Sequence, residues 1–210
     1  MINNDCNIAI YYNRDVDLDG LQVRYNFLDA VKSHGCKSFY SNALEPFAGH
    51  GAIGFYLHEI KLCETLTVSD CYKDAVDFCN TTIRENGLTH CKAIQSDCLD
   101  NITECFDLVV ANIPWASFTP SNIDNVARQH QIRKKVDKDW VIHKKFFAQL
   151  SSCVTQDCDI FLWEDSRYST VDTFEPMFTQ SFSVKNIISP FGKYDTGYLI
   201  HLRKKDGTLC

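Results

Sequence analysis

The 210-residue chain has no run of about 18 apolar residues, so no membrane-spanning helix is expected. Residues Met1–Cys6 offer neither a basic stretch nor an apolar one, which speaks against a secretory leader. The terminal Gly-Thr-Leu-Cys ends on cysteine itself and is no prenylation box. Cys-x-x-Cys never occurs among the eleven cysteines, and without closely spaced ligand pairs no metal site is expected. They read as free thiols in a reducing cytosol, with Cys63, Cys79 and Cys105 in apolar segments where a thiol packs as a small hydrophobe. Internal repeats, low-complexity tracts and interdomain linkers are also missing, so a single core-forming unit is expected.

Positive charge is scarce. A net charge of −6 and a pI near 5.6 do not suit a protein that coats nucleic acid. One segment departs from this. Between Arg128 and Lys145, seven basic residues stand against Asp137 and Asp139, a local charge of +5. It reads either as a solvated helix face or as a surface for RNA phosphates.

Short apolar runs alternate with helical patterns, which predicts an α/β sheet covered on both faces. Strands are expected at 8–12, 43–46, 65–69, 92–95, 106–111 and 159–163, and helices at 21–31, 51–61 and 72–85. Asn86-Gly87 is a good stop for the last of these. After Trp115 a loop gives way to helical segments reaching Ser151. Residues 182–188 and 197–202 read as two long strands joined without a helix, a hairpin.

Two blocks carry the chemistry. In Glu45-Pro46-Phe47-Ala48-Gly49-His50-Gly51-Ala52-Ile53-Gly54 a strand ends on an acidic residue, then a glycine turn opens an apolar helix. Glycines there let the backbone turn tightly and approach a ligand at a positive helix terminus. No Gly-Lys-Ser/Thr follows, so this is not a P-loop. Asp70 ends the next strand 21 residues after Gly49, close to the spacing at which an acidic residue holds a ribose. It could equally cap the following helix. The second block, Asn112-Ile113-Pro114-Trp115, closes the strand 106–111.

Together the blocks resemble the class I S-adenosylmethionine-dependent methyltransferases that modify planar nitrogens: adenine-N6, exocyclic-guanine and HemK-like glutamine-amide enzymes with an Asn-Pro-Pro-Tyr motif. The resemblance implies a Rossmann-like, mostly parallel seven-stranded sheet finishing in an antiparallel hairpin. Residues 41–210 would form the methyltransferase domain, and 1–40 an N-terminal extension and helix. S-adenosylmethionine would be the cofactor rather than NAD, although both would use Gly49, Gly51 and Asp70. Glu45 would meet its ammonium, and Asp70 the ribose. Phe47, Cys71 and Tyr72 would line its site, and Asp97 and Cys98 after the third strand would read the adenine. Asp97 could also be an ordinary turn residue.

By the same resemblance, the Asn112 side chain and the Ile113 carbonyl would accept the hydrogens of a planar NH2 group. Pro114 would stiffen the turn, and Trp115 would offer a stacking face. Ile113 stands where the motif usually has Pro. The block could also be a strand ending in a proline turn with a core tryptophan. The acceptor would be an amide, amino or guanidino nitrogen of a protein or small molecule. An RNA base reached through Arg128–Lys145 is the alternative, and a cofactor-binding subunit without activity is another. The chain is too short for a DNA-recognition domain, so sequence-specific DNA is not expected, and the location is expected to be cytoplasmic. Whether His143, Tyr168 or Tyr194 touches the acceptor stays open.

Overall fold

A computed structural model of the chain describes residues 7–12, 20–117, 135–189 and 196–207. Its helices are α1 (Gly20–His34), α2 (Ala52–Glu59), α3 (Lys73–Glu85), α4 (Val141–Leu150) and α5 (Val171–Phe178). Its strands are β1 (Tyr40–Pro46), β2 (Cys63–Asp70), β3 (Cys91–Gln95), β4 (Phe106–Ala111), β5 (Val154–Asp165), β6 (Phe182–Ile188) and β7 (Gly197–Lys204). They form one sheet in the order β3-β2-β1-β4-β5-β7-β6. The first five strands run parallel, and β7 pairs antiparallel with both β5 and β6. The expected seven-stranded architecture with its antiparallel finish is present.

Strand residues alternate between two cores because successive side chains leave a strand on opposite faces. Ala43, Leu108, Val110, Phe161, Trp163 and Leu199 pack with α1, α2 and α3. Leu44, Val109, Ala111, Ile160, Leu162 and Ile200 pack with Phe146, Phe147 and Leu150 of α4 and with Phe174 and Phe178 of α5. β4 is buried at every position, as a parallel strand covered on both faces should be. α3 stops where the sequence says: Asn86 caps it and Gly87 follows at φ 62°.

Three expectations fail. Residues 8–12 form no strand. Their backbone is satisfied by α3 side chains instead: Ala9 N–H donates to Asn86 Oδ1 (2.9 Å), Asn86 Nδ2 donates to Ala9 O (3.0 Å), and Tyr11 N–H donates to Thr82 Oγ1 (3.0 Å). α5 is a helix where none was expected. It holds Pro176 and only eight residues, which hides its period, and it forms because a Thr170–Thr173 capping box starts it and Phe174 and Phe178 bury. Cys105 is exposed, whereas Cys63 and Cys79 are buried as expected. All nine described cysteines are free. Residues 190–195, between β6 and β7, lie outside the described residues.

β7 starts on glycine for a packing reason. A Cβ on Gly197 would lie 1.9 Å from Trp163 Cζ2, inside the ring's van der Waals envelope. Gly197→Ala should therefore destabilise the fold by about 1–3 kcal/mol, the usual scale of overpacking. A lowered urea midpoint at unchanged slope is the expected readout, and an unchanged midpoint would contradict it.

Candidate active site

β1 continues to β2 on one side, while β4 pairs with its other side, so the loops leaving β1 and β4 part company at their carboxyl ends. Such a switch point opens a crevice in an α/β sheet. Here the crevice has a volume of about 820 Å³ including the solvent at its mouth. Glu45, Phe47, Gly49 and His50 line it from the β1–α2 turn, Asp70–Tyr72 from the end of β2, and Asn112–Trp115 from the end of β4. Lys135 also lines it.

The glycine turn has two left-handed residues, Gly49 (φ 53°) and Gly51 (φ 72°). At Gly51 a Cβ would also strike the Phe55 ring at 2.5 Å, so the position is doubly restricted. Gly54 lets α2 approach β1: its N–H donates to Glu45 Oε2 at 2.6 Å, and Ile53 N–H donates to Oε1 at 3.4 Å. Glu45 thus holds the first turn of α2 while facing the crevice. Burial pushes its carboxyl up to about 8, with these two N–H donors opposing and Asp70 reinforcing the rise. Asp70 is bonded on both oxygens, accepting from Gly49 N–H and from Tyr72 N–H, each at 2.9 Å. It ties the glycine turn to the start of α3, where Tyr72 is the N-terminal flanking residue.

Phe47 also adopts a left-handed conformation, φ 57°, a costly one for an aromatic residue. It turns the chain out of β1 and sets its ring against Phe146 at 5.6 Å. His50 was not singled out by its sequence position. It is nearly buried, edge-on to Tyr12 at 5.7 Å and tilted to Phe78 at 6.4 Å.

At the end of β4, Ile113 is fully buried in the α4–α5 core, which explains an aliphatic side chain there. Asn112 Oδ1 is buried and has no hydrogen-bond partner among the described residues. A buried acceptor left unmet costs about 1–3 kcal/mol, and Asn112 is one of the residues lining the crevice. Trp115 lies 5.4 Å from the Tyr168 ring and has Lys135 Nζ at 5.7 Å and the Arg167 guanidinium at 5.9 Å from its ring centroid. Arg167 is gripped by Asp165 through Nε–Oδ1 (2.9 Å) and Nη2–Oδ2 (2.5 Å). No sequence pattern marked Arg167, since only the chain's return after β5 brings it to Trp115.

Not every expected residue joins the crevice. Asp97 pairs with Lys145 at 2.7 Å and is not among the lining residues. Cys98 is buried at φ 52°, with its thiol toward Ile142 O. Of the basic segment, 128–134 lies outside the described residues, as does Tyr194. Lys145 is bound by Asp97 and Asp100, leaving Lys135 as the described lysine of that segment that reaches the site. His143 is fully buried with both ring nitrogens engaged, so it is not placed as a base for an acceptor.

The family model of the methyltransferase small domain matches residues 32–138, and the chain belongs to that family. It is 36% identical over 74 residues to the ribosomal RNA small subunit methyltransferase C of Haemophilus ducreyi, which is 35% of this chain and 22% of that protein. It is 27% identical over 143 residues to the release factor glutamine methyltransferase of Lactococcus lactis, 65% of this chain and 51% of that one. The chain therefore spans about half the length, or less, of these relatives. In fold it resembles the ribosomal protein L11 methylase of Lactobacillus delbrueckii, with a TM-score of 0.63 at 15% identity over 90% of this chain and 80% of that one. S-adenosylmethionine is the cofactor of this class. The residues fit it: a carboxylate ends both β1 and β2, and at Gly49 nothing lies within 4 Å of where a Cβ would be, leaving room for a ligand.

Asp70 does scaffold work with no ligand present. Asp70→Ala should lower the stability of the ligand-free protein by about 1 kcal/mol, the net worth of a hydrogen bond. Chemical denaturation checks this, and an unchanged stability would show that the two N–H contacts contribute nothing.

Proposed function

We propose that the chain is an S-adenosylmethionine-dependent N-methyltransferase acting on a planar NH2 group of a protein or small molecule. The observation that carries this reading is the buried, unpartnered Oδ1 of Asn112 at the mouth of β4. When bound, S-adenosylmethionine supplies an electrophilic sulfonium methyl. Glu45 meets the ammonium of the methionyl part and Asp70 the ribose hydroxyls. Phe47, Cys71 and Tyr72 flank the ligand, while Asp97 and Cys98 serve at most from outside the lining. Asn112 Oδ1 accepts one hydrogen of the acceptor NH2 and the Ile113 carbonyl the other, which turns the nitrogen lone pair out of the acceptor's plane. Pro114 holds that limb, and Trp115 flanks the acceptor. The residues work by orientation and exclusion of water, so no general base is needed. A cofactor-binding subunit without activity would gain nothing from an orphaned acceptor at this point.

An RNA base is the second reading, and a specific observation favours it. Trp115 packs beside Tyr168 with Lys135 and Arg167 over its ring, an aromatic and cationic cluster that suits a base beside its phosphate. Transfer of labelled methyl groups to total cell protein, small-molecule extract and total RNA separates the acceptors, with added salt suppressing only the RNA signal.

The Asn112 role is the sharpest commitment. Asn112→Ala should bind S-adenosylhomocysteine nearly as wild type and lose turnover by about a hundredfold or more, roughly 2.7 kcal/mol. A variant that still methylates at near-normal rate would move the chemistry away from this motif. Glu45 predicts a pH dependence. Its raised carboxyl must lose a proton to meet an ammonium, so affinity for S-adenosylhomocysteine should climb as pH rises toward about 8, then flatten. Calorimetry showing no slope between about pH 6 and 8 would detach Glu45 from the ammonium.

A further inference from the structure

The limb that carries Asn112 and Trp115 is held at its far end by a two-residue bridge. Ala116 N–H donates to Lys135 O at 2.7 Å, and Asp137 N–H donates to Ala116 O at 2.8 Å. What fixes the partner segment is Asp137. Its carboxylate accepts from the N–H groups of Ile142 (2.9 Å) and His143 (3.0 Å) at the start of α4, and from His143 Nδ1 at 2.7 Å. The other ring nitrogen, Nε2, lies 2.8 Å from Glu164 Oε1 on β5. All three side chains are essentially sealed from solvent.

Both imidazole nitrogens face carboxylate oxygens. Against two ionised carboxylates a neutral ring, with one N–H and one bare nitrogen, would set two lone pairs against each other at one contact, whereas the imidazolium donates at both ends. We propose that the Asp137–His143–Glu164 triad is a clasp that positions the acceptor-binding limb Asn112–Ala116, and that it closes only while His143 is protonated. His143 is a positioning residue here, acting through Asp137 on the bridge. The inference rests on the assignment of Asn112 to the acceptor.

Aromatic rings seal the imidazole from solvent, which by itself disfavours its charge. Phe174 of α5 stacks on it at 4.3 Å, and Trp140 meets it edge-on at 5.4 Å, so no solvent competes. The hydroxyls of Ser169 and Tyr198 lie 3.2 Å apart, and Glu164 Oε2 is buried with no hydrogen-bond partner among the described residues. Lys144 and Lys145 turn away, to Asp139 O and to Asp97 and Asp100. Burial alone would push the imidazole down, but the Glu164 charge and the two hydrogen bonds outweigh it and carry it up to about 9. A histidine raised on folding contributes fully below its unfolded value and loses that contribution as pH rises through the folded one, so the clasp should open near pH 9.

The test is hydrogen exchange at the two bridge amides, Ala116 and Asp137, read by NMR in the full chain. Glu164→Gln, with Asp137→Asn as a second variant, should lower their protection factors about tenfold or more, leaving the Val109 and Val110 amides of β4 unchanged. Wild type should show the same selective loss between about pH 7 and pH 10. Affinity of both variants for S-adenosylhomocysteine should stay within about twofold of wild type at the same pH. Bridge protection that survives either variant or the pH rise overturns the clasp; so does protection that falls in step with Val109 and Val110, which would make the triad a general stabiliser. Neither readout uses methyl transfer, so a failure of the proposed activity would appear separately, in the turnover of Asn112→Ala.

Discussion

Parallel pairing of β1 with β4 at the centre of the sheet is the constraint on which the site depends. Ala43 pairs with Leu108 and Leu44 with Val109, and each pair feeds a different core. A slip of one residue would swap those faces, so the register is locked by burial on both sides. With the register locked, the strand ends are locked as well. Glu45 and Asn112 then stand at neighbouring exits from the sheet, and Asp70 arrives from β2 beside them. The site is a by-product of where three buried strands run out.

Most of this was legible in the sequence for a simple reason. A strand buried on both faces, such as Phe106–Ala111, reads as a nearly continuous apolar run interrupted only by Asp107, and strand ends are marked by Glu45-Pro46, Asp70 and Asn112. What escaped were contacts decided by distant chain. Asn86 and Thr82 take the hydrogen bonds of residues 9 and 11, so an apolar-looking stretch never pairs as a strand. α5 depends on the burial of Phe174 and Phe178 more than on its own composition, which includes Pro176. Arg167 joins Trp115 only because β5 runs on to Asp165, which then grips the guanidinium. Lys145 has its charge consumed by Asp97 and Asp100, which a count of basic residues between 128 and 145 cannot show.

Three acids near the crevice are handled in different ways. Asp70 is answered by backbone N–H groups on both oxygens and sits at the edge of solvent. Glu45 has N–H donors too, yet its complete burial outweighs them and leaves room for a cation to change its state. Glu164 is buried as deeply but faces a histidine, so a cation is already supplied from within the chain. One carboxylate is poised for a ligand, and the other is committed to the framework.

The stretch that matches the methyltransferase small domain begins at residue 32, inside α1, and ends at residue 138, before α4, β5 and β7. Read as a physical object, that stretch is an open half-sheet. It would expose the edge of β4 that β5 covers, and the face of Leu44 and Val109 that Phe146 and Phe147 cover. It would also lack Tyr12, whose ring lies against His50 of the glycine turn. The matched stretch is therefore smaller than the unit that folds. The parts of the chain beyond it supply the walls without which that stretch has no inside.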